Sequence, residues 1–190
     1  MLTILERVLP KVSPDQLKGI VEQILNEKGS SCYAYSIKLI EEMKAEGREL
    51  IAISGSIKDI VEPFAHSLGF DVVISSELEI KDGAYTGKRA TQTKSDKHKI
   101  LQNIVSEHGL TFEDSVGMGD THRDISFLEI LENPIAFNPN VALFDEASKR
   151  GWKIVLERKN MIYELSKKQG IYSFENAHPI HDDSNTESLR

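Results

Sequence analysis

Two aspartates four positions apart, Asp120 and Asp124, close the run Asp114-Ser115-Val116-Gly117-Met118-Gly119-Asp120-Thr121-His122-Arg123-Asp124. A short apolar stretch ends in glycine and leads straight into them, as at the carboxyl end of a buried parallel strand, where ligands of open α/β sheets collect. Two carboxylates at such an end suit a hard divalent cation such as Mg²⁺, which takes oxygen ligands. The same residues also suit a turn and a helix start, with Asp120 as cap and Asp124 near the positive end of the helix dipole. Ser54 follows the apolar run Leu50-Ile51-Ala52-Ile53 and stands just before a helical pattern. There, backbone N–H groups and the helix dipole favour an anion, and a hydroxyl can donate to a phosphoryl oxygen. Simple capping explains a lone serine at that place equally well. Lys97 opens a helix, an unfavourable position for a cation unless an anion is near. Its neighbours Lys94 and Lys99 show that a solvated lysine fits too. In chain order, strand-Ser, helix-start Lys and strand-Gly-Asp-x-x-x-Asp describe a phosphate held by hydroxyl and ammonium beside a carboxylate-bound Mg²⁺.

The elements that must position these residues follow from periodicity. Ser13-Pro14-Asp15-Gln16 signals a helix start, with hydroxyl at the N-cap and proline at the first helical position. Leu17, Ile20, Val21, Ile24 and Leu25 continue it at helical spacing, and a second amphipathic helix spans about Tyr33 to Ala45. With residues 2 to 9 also helix-like, the first 47 residues are expected to be helical. From Leu50 the pattern alternates: strand to Ile53, helix from Ile57, strand at Val72-Val73-Ile74. A hairpin follows around Asp82-Gly83, then a helix from Lys97. After the aspartate motif come a helix to about Leu131, a strand at Pro134 to Phe137 and a helix over Leu143 to Ala147. The last expected strand is Trp152 to Leu156. Strands alternating with helices imply a parallel sheet with right-handed crossovers. Beyond Gly170 the chain turns polar, and a disordered tail is expected over 171–190. His178, His181, Asp182 and Asp183 lie there, and a solvated tail accounts for them better than a metal cluster.

A chain of 190 residues makes one ordinary domain plus a small accessory element. Its net charge of −7, from 30 acidic and 23 basic residues, argues against nucleic acid as the main partner, because phosphate contacts need a basic face. One cysteine, Cys32, excludes an intramolecular disulfide and fits a reducing compartment. No apolar run reaches a membrane span, and Glu6 and Arg7 interrupt the opening residues too early for a signal peptide. A soluble, cytoplasmic protein with no membrane partner is expected.

These ordered motifs resemble the haloacid dehalogenase superfamily of phosphohydrolases, in the branch similar to phosphoserine phosphatase. Ile53-Ser54-Gly55-Ser56 resembles its second motif, Lys97 its third and Gly119-Asp120-Thr121-His122-Arg123-Asp124 its fourth. Glu77 to Ile80 with Gly83 to Gly87 is similar to the branch's hairpin, and Phe137-Asn138-Pro139 to its stretch after the fourth motif. The resemblance covers about Tyr33 to Asn160. It implies a Rossmann-like α/β fold with helices on both faces of a parallel sheet, and a partial helical cap. The expected layout is a cap remnant over 1–32, an α/β core over 33–170 and the polar tail. It also implies Mg²⁺ and an aspartate nucleophile that forms an aspartyl-phosphate. Ser54, Gly55 and Lys97 would bind the phosphoryl group of a small phosphorylated metabolite, Ser54 and Lys97 assisting catalysis. Asp120 would ligate the metal, and Asp124 would do so directly or through water.

Two features depart from the family pattern. Arg123 replaces a small polar residue. The first motif, an apolar strand ending Asp-x-Asp in the middle of the family's sheet, has no counterpart, since no Asp-x-Asp occurs anywhere in the chain. The expectation is a phosphatase lacking its nucleophile segment, the chain beginning inside the cap and inactive unless that segment is supplied, in cis or in trans. The alternative is a non-catalytic binding or regulatory module that keeps the phosphate and metal pocket.

Overall fold

The computed structural model describes residues 8–28, 32–90 and 96–180. They form two compact units, Met1–Asp96 and Lys97–Arg190. The division falls inside the stretch 33–170 that the sequence presents as one core. The helix-like residues 2 to 7 and His181, Asp182 and Asp183 lie outside the described residues.

In the first unit, α1 (Pro14–Lys28) begins where the sequence places it. The Ser13 N–H donates to Gln16 Oε1 at 2.9 Å, and the Gln16 N–H donates to Ser13 Oγ at 3.2 Å, a reciprocal capping box. Then come α2 (Ala34–Ala45), β1 (Ile51–Ile57), α3 (Lys58–Ser67) and β2 (Val72–Ser76), with β1 and β2 parallel. A hairpin of β3 (Leu78–Lys81) and β4 (Ala84–Arg89) turns at Asp82 and Gly83. Both turn residues have positive φ, 51° and 78°, as a two-residue hairpin loop requires. Leu9, Leu17, Val21, Ile57, Leu78 and Tyr85 close one apolar core. Helix α1 therefore gains its burial against the hairpin and the end of β1 rather than from its own modest propensity.

The second unit runs α4 (Lys97–Glu107), β5 (Val116–Gly119), α5 (Ile125–Leu128), β6 (Asn133–Phe137), α6 (Val141–Arg150) and β7 (Lys153–Arg158). Strands β5, β6 and β7 are parallel neighbours in chain order. Leu128, Ala136, Leu143, Ala147, Trp152 and Ile154 form its core. This is the parallel α/β pattern that alternation predicts, and it agrees with the Rossmann-like fold that the resemblance implies. Among the described residues, β1 pairs only with β2, and β5 only with β6.

The carboxyl-terminal expectation needs correction. Two antiparallel strands, β8 (Met161–Lys168) and β9 (Ile171–Pro179), extend the sheet, so residues 171–179 are a strand and not a disordered tail. The turn between them uses Gln169 and Gly170 at φ 53° and 84°. The Tyr172 hydroxyl, 2.9 Å from the Ala147 carbonyl and 2.8 Å from that of Trp152, fastens β9 to the second core. Composition hid this strand because an edge strand needs few apolar residues once its backbone is paired. No helix among the described residues is long and apolar enough to cross a membrane.

Tyr85, 2% exposed, has its phenol pushed up to about 12, first by burial and then by the nearby Asp59 carboxylate. The neutral phenol is thus favoured in the fold. Its contribution is complete below the ordinary tyrosine value near 10 and is lost as pH rises from there towards 12. Denaturant titrations from about pH 9 to about pH 11.5 should cost wild type on the order of 1–2 kcal/mol more than Tyr85→Phe. Parallel losses in the two proteins would contradict this.

Candidate active site

Strand β5 ends at Gly119, and the chain turns at once through Asp120 and Thr121 into a 3₁₀ turn over His122–Asp124 that continues as α5. Asp124 is 4% exposed, and its carboxylate lies under the strand end. Its Oδ2 accepts the Asp120 N–H at 3.1 Å, the Thr121 N–H at 2.9 Å and the Thr121 hydroxyl at 3.0 Å. Its Oδ1 accepts from Lys97 Nζ at 2.5 Å. Three of the four donors crowd Oδ2 and one takes Oδ1, so the carboxylate is held by the protein at both oxygens. Lys97 stands in the first turn of α4 with its side chain 17% exposed, and its ammonium also lies 5.4 Å from the centre of the Phe127 ring. The anion that the helix-start lysine demands is therefore Asp124.

Gly119 makes this approach possible. A Cβ on it would lie 2.5 Å from Asp124 Cβ and 2.9 Å from Asp124 Cγ, closer than real Cβ contacts come. On the far side, the Asn140 N–H donates to the Asp120 carbonyl at 2.9 Å, while Asn140 Oδ1 caps α6 by accepting the Leu143 N–H at 3.0 Å. The backbone of Asp120 is thus fixed from both sides, and its side chain stays at the surface.

The two carboxylates are electrostatically unlike. Burial alone would raise Asp124, but the Lys97 ammonium and the N–H groups of Thr121 and Asp120 bring it below the usual carboxylate range. Asp120 is held above that range, first by loss of surrounding water and then by the Asp124 charge. A cation at Asp120 would offset both by favouring the charged carboxylate. Asp120 is an oxygen donor of the type Mg²⁺ takes, and one or two carboxylates with several waters suffice for that ion. The donor set therefore fits Mg²⁺ through Asp120. Asp124, buried and already bonded at both oxygens by the protein, fits contact through water. Among the described residues no group of three His, Cys, Asp or Glu forms a ready-made site.

Ser54 belongs to the other unit. It does not cap a helix: β1 runs on to Ile57, and Ile57 is the N-cap of α3, with no side-chain capping bond. The β1–β2 pairing shifts register between Ile53 and Ile57, so Ser54-Gly55-Ser56 forms an irregular loop within the strand. The Ser56 N–H donates to Ser54 Oγ at 3.1 Å. Sequence reasoning placed the helix one residue early and missed this loop. It also missed Thr121, Phe127 and Asn140. The Thr-x-x-Asp spacing that makes Thr121 and Asp124 partners was legible, whereas Phe127 and Asn140 carried no local signal. Arg123 is exposed.

Fold and site together define the class. The haloacid dehalogenase-like hydrolase model matches residues 2–129, and the chain belongs to that family. Its likeness within the family is to the phosphoserine phosphatase-like branch. A crystal structure of phosphoserine phosphatase in apo form, 30% identical, superposes with a TM-score of 0.53 over 57% of this chain and 56% of that one. A probable phosphatase of Mycobacterium tuberculosis is 28% identical over 142 residues, 74% of this chain and 50% of the relative. A histidinol-phosphatase of Neisseria meningitidis is 30% identical over 124 residues, 62% of this chain and 55% of the relative. The chain spans about half the length of the curated relatives it matches first.

Lys97→Met should leave a buried carboxylate without its cation and cost about 3–5 kcal/mol. Adding Asp124→Asn should recover at least about 1 kcal/mol of that loss in a double-mutant cycle. The pH dependence has a definite sign in metal-free buffer. Because Asp124 is depressed in the fold, its pairing stabilises above the ordinary carboxylate range. That stabilisation is lost as pH falls through the depressed value, and Lys97→Met should lack this acid-side loss. Strict additivity in urea unfolding would refute the coupling.

Proposed function

We propose that the protein is a Mg²⁺-dependent phosphatase of small phosphorylated metabolites, for which this chain supplies the phosphate- and metal-binding parts. The observation that carries it is the Lys97–Asp124 pair, which fixes the strand-end loop and leaves Asp120 to meet a cation. When bound, Mg²⁺ supplies charge neutralisation for the phosphoryl oxygens. Lys97 is assigned to phosphoryl charge as well, its ammonium lying beside Asp124 with two donors beyond that bond. Ser54 is assigned hydroxyl donation to a phosphoryl oxygen, with Gly55 allowing close backbone approach. Positioning and charge stabilisation are what these groups provide.

The nucleophile must come from elsewhere. Covalent phosphoryl transfer needs a nucleophile in line with phosphorus, and a carboxylate committed to a cation or to four donors is held away from attack. The chain has no Asp-x-Asp, and β5 keeps one edge without a partner among the described residues. A parallel strand added along that edge carries its carboxyl-terminal residues to the same end as Asp120. We propose such a strand, in cis or as a separate peptide, as the missing part. The absent motif also favours a second reading, a binding or regulatory module that holds phosphate and Mg²⁺ without turnover. Phosphoserine and histidinol phosphate name the substrates of relatives, and fold likeness alone does not choose between them.

The 190-residue chain should hydrolyse an aryl phosphate no faster than its Asp120→Ala variant, and a supplied strand ending Asp-x-Asp should create Mg²⁺-dependent turnover. Robust activity of the chain alone, lost in Asp120→Ala, would show that another carboxylate serves as nucleophile. Millimolar Mg²⁺ should raise the melting temperature of wild type and not of Asp120→Asn. Binding of Mg²⁺ with no turnover even after the strand is added would leave the module as the better description.

A further inference from the structure

The Ser54-Gly55-Ser56 loop is held from behind at one atom. The Gly55 carbonyl accepts from the Arg89 guanidinium, Nη1 at 3.2 Å, and from the Ser76 hydroxyl at 3.3 Å. Ser76 is fully buried at the end of β2, and Arg89 is half-buried at the end of β4. The same peptide group continues as the Ser56 N–H, which donates to Ser54 Oγ at 3.1 Å. A trans peptide points its C=O and N–H in opposite directions within one plane. Holding the carbonyl therefore fixes where the N–H points, and with it the position of Ser54 Oγ.

We propose that Arg89 and Ser76 are positioning residues for Ser54, acting through the Gly55–Ser56 peptide. The proposal rests on the assignment of Ser54 as a donor to a phosphoryl oxygen. A hydroxyl that accepts the Ser56 N–H through one lone pair still has its proton to give. Hydrogen bonds in a chain polarise one another in the same sense. The guanidinium charge draws electron density from the Gly55 carbonyl, which strengthens the Ser56 N–H as donor and in turn the Ser54 O–H. Arg89 thereby brings positive charge to bear on Ser54 without touching the phosphate. The bulge in β1 acquires a purpose, because it turns this peptide away from strand pairing and towards Arg89, Ser76 and Ser54.

The test uses the full chain, inorganic phosphate as ligand and amide-resolved NMR, on wild type, Ser54→Ala, Arg89→Met, Ser76→Ala and the double variants with Ser54→Ala. Arg89→Met and Ser76→Ala should each speed Ser56 amide exchange and weaken phosphate roughly three- to tenfold. In the Ser54→Ala background neither should weaken it further. Arg89→Lys, which keeps a charged donor, should retain most of the affinity. Equal losses in both backgrounds would mean that Arg89 acts on phosphate directly or on the fold at large, and would overturn the relay. So would an unchanged Ser56 amide. If Arg89→Met does not fold, Ser76→Ala alone decides by the same two readouts. If Ser54→Ala leaves phosphate binding intact, or wild type binds none, the assignment of Ser54 fails. The Ser56 amide then decides the relay by itself.

Discussion

Most of the second unit's site depends on one buried carboxylate. Asp124 gathers two backbone N–H groups, a hydroxyl and an ammonium from three residues, Asp120, Thr121 and Lys97. Burying a charge is costly unless it is paired and hydrogen-bonded, so each donor is a constraint on structure. The N–H groups of Asp120 and Thr121 must turn inward, which fixes the loop after β5. Gly119 must lack a side chain, because Asp124 occupies the space a Cβ would need. Lys97 must begin its helix at the strand end, where the helix dipole would otherwise disfavour it. The 2.5 Å bond to Asp124 offsets that cost.

The same pair separates the roles of two carboxylates that look alike in sequence. Asp124 is satisfied by the protein and stays ionised. Asp120, nearer solvent and repelled by its neighbour, is held above the ordinary range. Environments that push two titratable groups apart are how one site assigns distinct tasks to the same residue type. The spacing Asp-x-x-x-Asp shows that two carboxylates stand at a strand end. It does not show which is spent on structure, because that depends on Lys97, 27 residues earlier.

Legibility followed the range of the interactions. The helix start at Ser13, the hairpin turn at Asp82-Gly83 and the parallel strands from Leu50 to Phe137 were readable, since capping, turn geometry and burial leave local marks. Strand β9 was not, because Phe174 and Ile171 are 67% and 72% exposed and its order comes from pairing with β8 and from Tyr172. Ser54 and Lys97 were singled out by residue type and by their place at element ends. The helix-capping alternative for Ser54 was removed only by the strand continuing to Ile57. Thr121 is the N-cap where Asp120 was considered, so the bland explanation of the aspartate motif is half correct: Asp124 does serve the helix start, and Asp120 does not.

Both units solve a common problem in the same way. A parallel strand that stops pairing leaves backbone N–H groups that must find acceptors. After β5 the acceptor is Asp124 Oδ2, and in the β1 bulge it is Ser54 Oγ. In each case the acceptor is a side chain, and in each case a cation sits behind it: Lys97 directly on the carboxylate, Arg89 through one peptide. A neutral hydroxyl needs its proton to remain available, so its cation acts at a distance. A carboxylate needs its charge balanced, so its cation touches it. The net charge of −7 makes these two inward-placed cations more telling than a basic surface would be.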